Sequence, residues 1–185
     1  MIDIKLLEQL CLCNGISGDE GNVRNLIINE IKDCADDIKT DNLGNLIVFK
    51  KGKKSAKSKL MVSAHMDEVG LMVTDITSDG YLKFDEVGGI DRRVLPGKRV
   101  CVGRNGLNGV IGVKPIHLTN GDEKTAVPKM NDMYIDIGAE SREDALKYET
   151  TVTALILRAI LRLTAKLLLQ RHLMTVSAAM CLLIS

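Results

Sequence analysis

Apolar and polar positions along the chain follow two rhythms, and the change falls near residue 70. Residues 2–12 carry apolar side chains at helical spacing and run into Asn14-Gly15, which predicts a short helix with a C-terminal stop. Ser17-x-x-Glu20 has the form of a capping box, in which each side chain satisfies a free backbone N–H of the next helix. Val23, Leu26, Ile27 and Ile31 then line one face of that helix to about Cys34. Asp37–Asn42 and Asn45–Lys50 predict two strands joined at Leu43-Gly44. Lys51–Lys59 is a basic connector that reads as a solvated loop, and Leu60-Met61-Val62-Ser63-Ala64 is an apolar run that predicts a short buried strand.

From Leu71 the pattern turns to short strands and glycine turns. Leu71–Ile76 and Tyr81–Val87 flank Ser78-Asp79-Gly80, a hairpin signal. Lys98–Val102 and Val110–Val113 flank the turn at Gly103–Gly109, and Met133–Ile137 follows. This spacing predicts a small β-barrel-like domain. Ser141-x-x-Asp144 then caps a helix through about Tyr148. The fold class is α/β: an α/β beginning in residues 1–68, interrupted by a β insert over 69–149, with a different segment over 150–185.

The candidate chemistry lies at the junction. His65-Met66-Asp67-Glu68-Val69-Gly70 follows the apolar run directly. A strand ending in His-x-Asp presents an imidazole and a carboxylate at the carboxyl edge of a sheet, where α/β proteins place metals and substrates. Neutral imidazole is a common metal ligand, and a nearby carboxylate can fix its tautomer. A solvated His-Asp turn is the plain alternative.

Composition adds a boundary. All 24 acidic residues and all 16 glycines lie at or before Glu149, and residues 150–185 carry only Arg158, Arg162, Lys166 and Arg171 as charges. Two such compositions rarely belong to one evolved unit. The five cysteines include no CxxC pair and read as small buried thiols of a reducing compartment. The acidic N-terminal turns do not resemble a signal peptide, and no run is long enough for a membrane span, so a cytoplasmic location is expected. Five aromatic residues and no Trp argue against stacking on nucleic-acid bases.

A family resemblance rests on Gly15-Ile16-Ser17-Gly18, Asp41-Asn42-Leu43-Gly44-Asn45-Leu46-Ile47 and Ser63-Ala64-His65-Met66-Asp67-Glu68-Val69-Gly70. It continues through Gly88-Gly89-Ile90-Asp91, Arg93-Val94-Leu95-Pro96-Gly97, Gly109-Val110-Ile111-Gly112, Lys114-Pro115-Ile116-His117-Leu118 and Tyr134-Ile135-Asp136-Ile137-Gly138-Ala139. Over residues 1 to about 149 the chain resembles the glutamyl/deblocking aminopeptidases, dinuclear-metal peptidases that build tetrahedral particles and are sometimes labelled endoglucanases. The resemblance implies a cofactor of two divalent ions (zinc, cobalt or manganese) and short peptide substrates. It implies His65 as a metal ligand and Asp67 as the carboxylate that holds it. The insert would be a dimerisation domain of a homo-oligomer. Glu68 reads as structural, because the family's general base comes from a later Glu-Glu pair. His117 reads as a packed or surface histidine, His172 sits in the tail and does not read as a metal ligand, and Asp91 and Arg93 read as fixing a loop of the insert.

The family pattern is expected to stop at Glu149, before its Lys-Ala-x-Asp-[Asp/Asn]-Arg element and its acidic ligands. Read with each triplet starting at the third base of a codon, Leu169–Ser177 permits Ala-Lys-Ala-Leu-Asp-Asp-Arg-Val-Gly, and the second Asp is forced by Met174-Thr175. A frameshift near Glu149–Thr151 is therefore the expectation, with the chain inactive as it stands. Two alternatives from other classes are an assembly module acting through the β insert, and membrane or partner binding through a cationic helix bearing Arg158, Arg162 and Lys166.

Overall fold

The computed structural model describes residues 4–54, 58–103, 105–115, 126–148 and 154–157. His117, His172, Cys181 and the cationic helix expected from Arg158 lie outside the described residues. The chain divides into two compact units with a boundary between Glu68 and Val69.

The first unit begins with α1 (Ile4–Leu12) and α2 (Gly21–Ile31). Leu6, Leu10 and Val23 form its buried core, with Leu26, Ile27 and Met66 packed against them. The hairpin of β1 (Asp37–Thr40) and β2 (Leu46–Phe49) follows, turning at Gly44 with φ +86° as expected. Two expectations fail here. Ser17 does not cap α2: Glu20 occupies the N-cap position without a side-chain cap bond, and its carboxylate accepts instead from Gly18 N–H at 2.6 Å. The run Leu60–Ala64 is not a strand, and Leu60, Met61 and Val62 are 90%, 89% and 56% exposed. A strand needs a neighbour for its backbone N–H and C=O groups. Among the described residues no strand pairs with this run.

The second unit is a closed six-stranded barrel in the order β3-β4-β7-β6-β5-β8. Its strands are β3 (Gly70–Ile76), β4 (Leu82–Val87), β5 (Arg99–Val102), β6 (Leu107–Val113), β7 (Met133–Asp136) and β8 (Ala154–Leu157). Alternation supplies the core: Leu71 and Val73, Leu82 and Phe84, Val100 and Val102, and Met133 and Ile135 point inward. A register shift between Val73 and Asp75 changes the parity of β3, so that Ile76 is buried and Asp75 is not. Closure depends on β8, whose backbone pairs with β3 and β5. That strand lies beyond residue 149, where the sequence places the end of the insert. The short apolar run Ala154–Leu157 can complete a ladder whatever follows it.

The serine cap that fails at Ser17 is built at Ser141, with the returning bond shifted by one residue to Glu140. The Ser141 hydroxyl accepts from Asp144 N–H at 3.2 Å, and Asp144 accepts in return from Glu140 N–H at 3.4 Å, opening α3 (Arg142–Tyr148). Arg142 reaches back to the Ile76 carbonyl and to Asp75. The four described cysteines are free thiols, but Cys34 is exposed and the others only partly buried, short of the buried set expected.

Asp91 and Arg93 fix a loop, as read from the sequence. Asp91 accepts from Arg93 N–H at 3.0 Å and from the guanidinium at 2.9 Å, opening the 3-10 turn Arg92–Val94. The Arg93 side chain is the main cause that lowers the Asp91 carboxyl to about 2. Because the folded value lies below the ordinary ~3.9, this pair's contribution is present above that pH and is lost as pH falls toward 2. An NMR titration should give Asp91 a midpoint near 2, moving up toward the ordinary range in Arg93→Ala.

Candidate functional site

The candidate site lies within the first unit, on the stretch that follows the unpaired apolar run. His65 and Asp67 come together as the His-x-Asp spacing suggests. The imidazole Nδ1 lies 3.0 Å from Asp67 Oδ1 and 3.2 Å from the Asp67 backbone carbonyl. Both partners are acceptors only, so Nδ1 carries the proton and donates. The lone pair of the neutral ring is then on Nε2, the atom turned away from the carboxylate. Both side chains are open to solvent, His65 more so.

The second oxygen of Asp67 accepts from the Ser17 hydroxyl, 50 residues earlier in the chain. That hydrogen bond is the largest cause lowering the Asp67 carboxyl below its ordinary value, with His65 adding to it against desolvation. Ser17 is carried to this position by the backbone. Ile16 and Glu68 form a parallel bridge in which Glu68 N–H donates to the Gly15 carbonyl at 2.7 Å and Ser17 N–H donates to the Glu68 carbonyl at 3.3 Å. Glu68 is thus placed by its main chain, in keeping with a structural role. Its charge, secondary to burial, helps to raise the Cys11 and Cys13 thiols, which favours their protonated form.

An open pocket of about 140 Å³ lies beside the pair, lined by Glu20, Leu43, Gly44, Asn45, Ala64, His65, Met66 and Asp67. Its far wall is the turn between β1 and β2, closed on itself by Asp41. Oδ1 of that residue accepts from the backbone N–H of Leu43 and of Asn45, each at 2.9 Å. Oδ2 accepts from the Asn45 side-chain amide at 2.8 Å, the first cause of the lowered Asp41 carboxyl. Arg24 ties the turn to α2 by donating to the Gly44 carbonyl at 2.8 Å. The motif Asp41–Asn45 is therefore a rigid wall.

The M42 glutamyl aminopeptidase family model matches residues 44–172. The chain belongs to that family. The match contains His65 and Asp67 and runs past Glu149, so the family resemblance does not end where composition changes. A putative aminopeptidase of Acetivibrio thermocellus is 48% identical over 142 residues, covering 77% of this chain and 40% of the relative. The solved structure of the Pyrococcus horikoshii TET1 peptidase, described as assembling into a tetrahedron or a large octahedral shell, is 44% identical with a TM-score of 0.72. It aligns with 84% of this chain and 46% of its own. A Thermotoga maritima structure described as an endoglucanase is 43% identical at a TM-score of 0.70, covering 81% of this chain and 43% of that one. The chain spans about 40% of the length of the first of these relatives.

Members of this family are metallopeptidases, which sets the test for the donor set. Among the described residues no three His, Cys, Asp or Glu side chains converge as ligands. A catalytic zinc takes three protein ligands. One exposed imidazole backed by a carboxylate therefore does not fit a complete dinuclear centre, although it fits one corner of such a centre. Reasoning from the sequence singled out His65 and Asp67 and missed Ser17, because Ser17-x-x-Glu20 reads equally well as a helix cap.

Proposed function

We propose that this chain is the amino-terminal portion of a metal-dependent aminopeptidase that removes residues from the amino termini of short peptides, and that it does not hydrolyse peptides by itself. His65 is a ligand of one of two divalent ions (zinc, cobalt or manganese), and Asp67 is the carboxylate that orients it. Such ions supply an activated water and polarise the scissile carbonyl. The single observation carrying this reading is the hydrogen bond from His65 Nδ1 to Asp67, which leaves Nε2 as the donor atom facing solvent. The family membership supports the reaction class. The remaining ligands would come from the part of the family's length that the chain does not match.

The barrel would serve self-association, as a dimerisation domain of a homo-oligomer. A second reading, a catalytically dead assembly module, is favoured by one contrast: the barrel is closed around a well-buried core, whereas among the described residues no group of three ligands forms beside His65. Among the described residues no helix is long and apolar enough to cross a membrane.

A change of reading frame between Glu149 and Leu169 would account for the missing acidic ligands and for the Asp-Asp-Arg motif readable in the shifted frame. The barrel strand Ala154–Leu157 counts against a shift as early as Thr151, and the family match to residue 172 counts against one anywhere before that residue. Sequencing the source gene from the Ala145 codon past the stop tests this. One inserted or deleted base that restores Asp-Asp-Arg followed by a Glu-Glu pair is the expected result, whereas an unbroken frame favours the assembly module.

A further inference from the structure

Ser17 is held where a cap would not need it. Its backbone and that of Gly15 are clamped to Glu68 by two hydrogen bonds, at 2.7 and 3.3 Å, so the chain segment at residues 15–17 runs at a fixed distance from the segment at 67–68. Glycine at 15 also lets this segment pack on α2: a Cβ there would lie 2.5 Å from Val23 Cγ2. From that position the Ser17 hydroxyl donates to Asp67 Oδ2, while His65 Nδ1 donates to Oδ1.

With both oxygens engaged, the carboxylate is pinned. With the histidine as its only donor it could turn about its terminal torsion, which is broad and roughly two-fold, and the imidazole would follow it or be left with the longer contact to the Asp67 backbone carbonyl, at 3.2 Å. We infer that Ser17 is a positioning residue: it locks the Asp67 carboxylate, and through it the Nδ1–H tautomer and the ring plane of His65. A hydroxyl donor onto a carboxylate is charge-assisted and suited to the task. Which ring nitrogen carries the proton is set by the hydrogen bond that nitrogen makes. The value of this relay for catalysis rests on His65 being a metal ligand; the relay itself does not.

Long-range ¹⁵N NMR of the neutral His65 ring in the full, metal-free chain, assigned by the signals lost in His65→Gln, reads the relay directly. The expected result is a dominant Nδ1–H tautomer in the native chain, a several-fold loss of that tautomer in Ser17→Ala, and its recovery in Ser17→Thr, which keeps the hydroxyl. Ring signals in Ser17→Ala identical to those of the native chain would overturn the inference. Protection of the Glu68 amide reports whether the bridge to Gly15 survives. If Ser17→Ala loses it, Ser17→Cys, similar in size and a weaker donor, is read in its place with the same two outcomes. Titrating cobalt or zinc into the native chain afterwards tests the ligand reading separately, since that reading fails if the His65 ring signals do not move.

Discussion

Ile135→Ala is expected to destabilise the barrel by about 2–5 kcal/mol, and Gly109→Ala is expected to cost far less in that variant than in the native chain. Ile135 is fully buried on β7, with Leu82 opposite on β4 and Ile111 opposite on β6. Truncating it removes apolar contacts and leaves a cavity that a closed barrel cannot collapse into. Against a typical domain stability of about 5–15 kcal/mol, that is a large share. Gly109 is the reason the side chain fits. A Cβ at 109 would stand 2.7 Å from Ile135 Cγ2, with Val100 Cγ2 at 3.1 Å and the Asp136 carbonyl at 3.3 Å. Alanine there overpacks the native core, at a cost of about 1–3 kcal/mol. Once Ile135 is alanine the first and worst of these contacts is gone, and the remaining two need only small adjustments. Urea unfolding of the two single variants and the double variant measures the coupling. Costs that add to within about 0.5 kcal/mol would mean that Gly109 and Ile135 do not share one packing site.

Gly15→Ala should do comparable damage to the first unit and also disturb the site. The added Cβ would lie 2.5 Å from Val23 Cγ2, and among the described residues Val23 forms that unit's small buried cluster with Leu6 and Leu10. Relief comes from turning Val23 off its preferred rotamer or from moving α2 or the Ile16–Glu68 bridge, and the bridge is what carries Ser17 to Asp67. An overpacking cost of about 1–3 kcal/mol matters more in a core this small. Hydrogen exchange of the Glu68 amide, which donates to the Gly15 carbonyl, should speed up about tenfold or more, while amides of the barrel keep their rates. Unchanged exchange at Glu68 would show that Val23 gives way to a Cβ at 15 without disturbing the bridge.

Much of the barrel was legible because its strands alternate cleanly and its turns carry glycine at positive φ, Gly80 and Gly106 among them. The parity change in β3 was not: a bulge depends on how a partner strand is registered, which no local spacing encodes. The site was half legible. His65 and Asp67 are two residues apart, so their pairing is a local property. Ser17 reaches Asp67 across 50 residues, and its sequence neighbourhood satisfies a competing local rule that Ser141-x-x-Asp144 does obey. The apolar run Leu60–Ala64 was misread for the opposite reason. Its composition suits a buried strand, but a strand exists only with a neighbour, and the described residues supply none. Among the described residues the imidazole is likewise not joined by further ligands.

The most direct test is the release of amino acids from aminoacyl p-nitroanilides by the purified 185-residue chain, with zinc, cobalt or manganese added in turn and His65→Ala as the control. The account predicts no release above that of the His65→Ala variant with any of the three ions. Metal-dependent release that disappears in His65→Ala would contradict it, because a complete catalytic centre would then have to form within this chain.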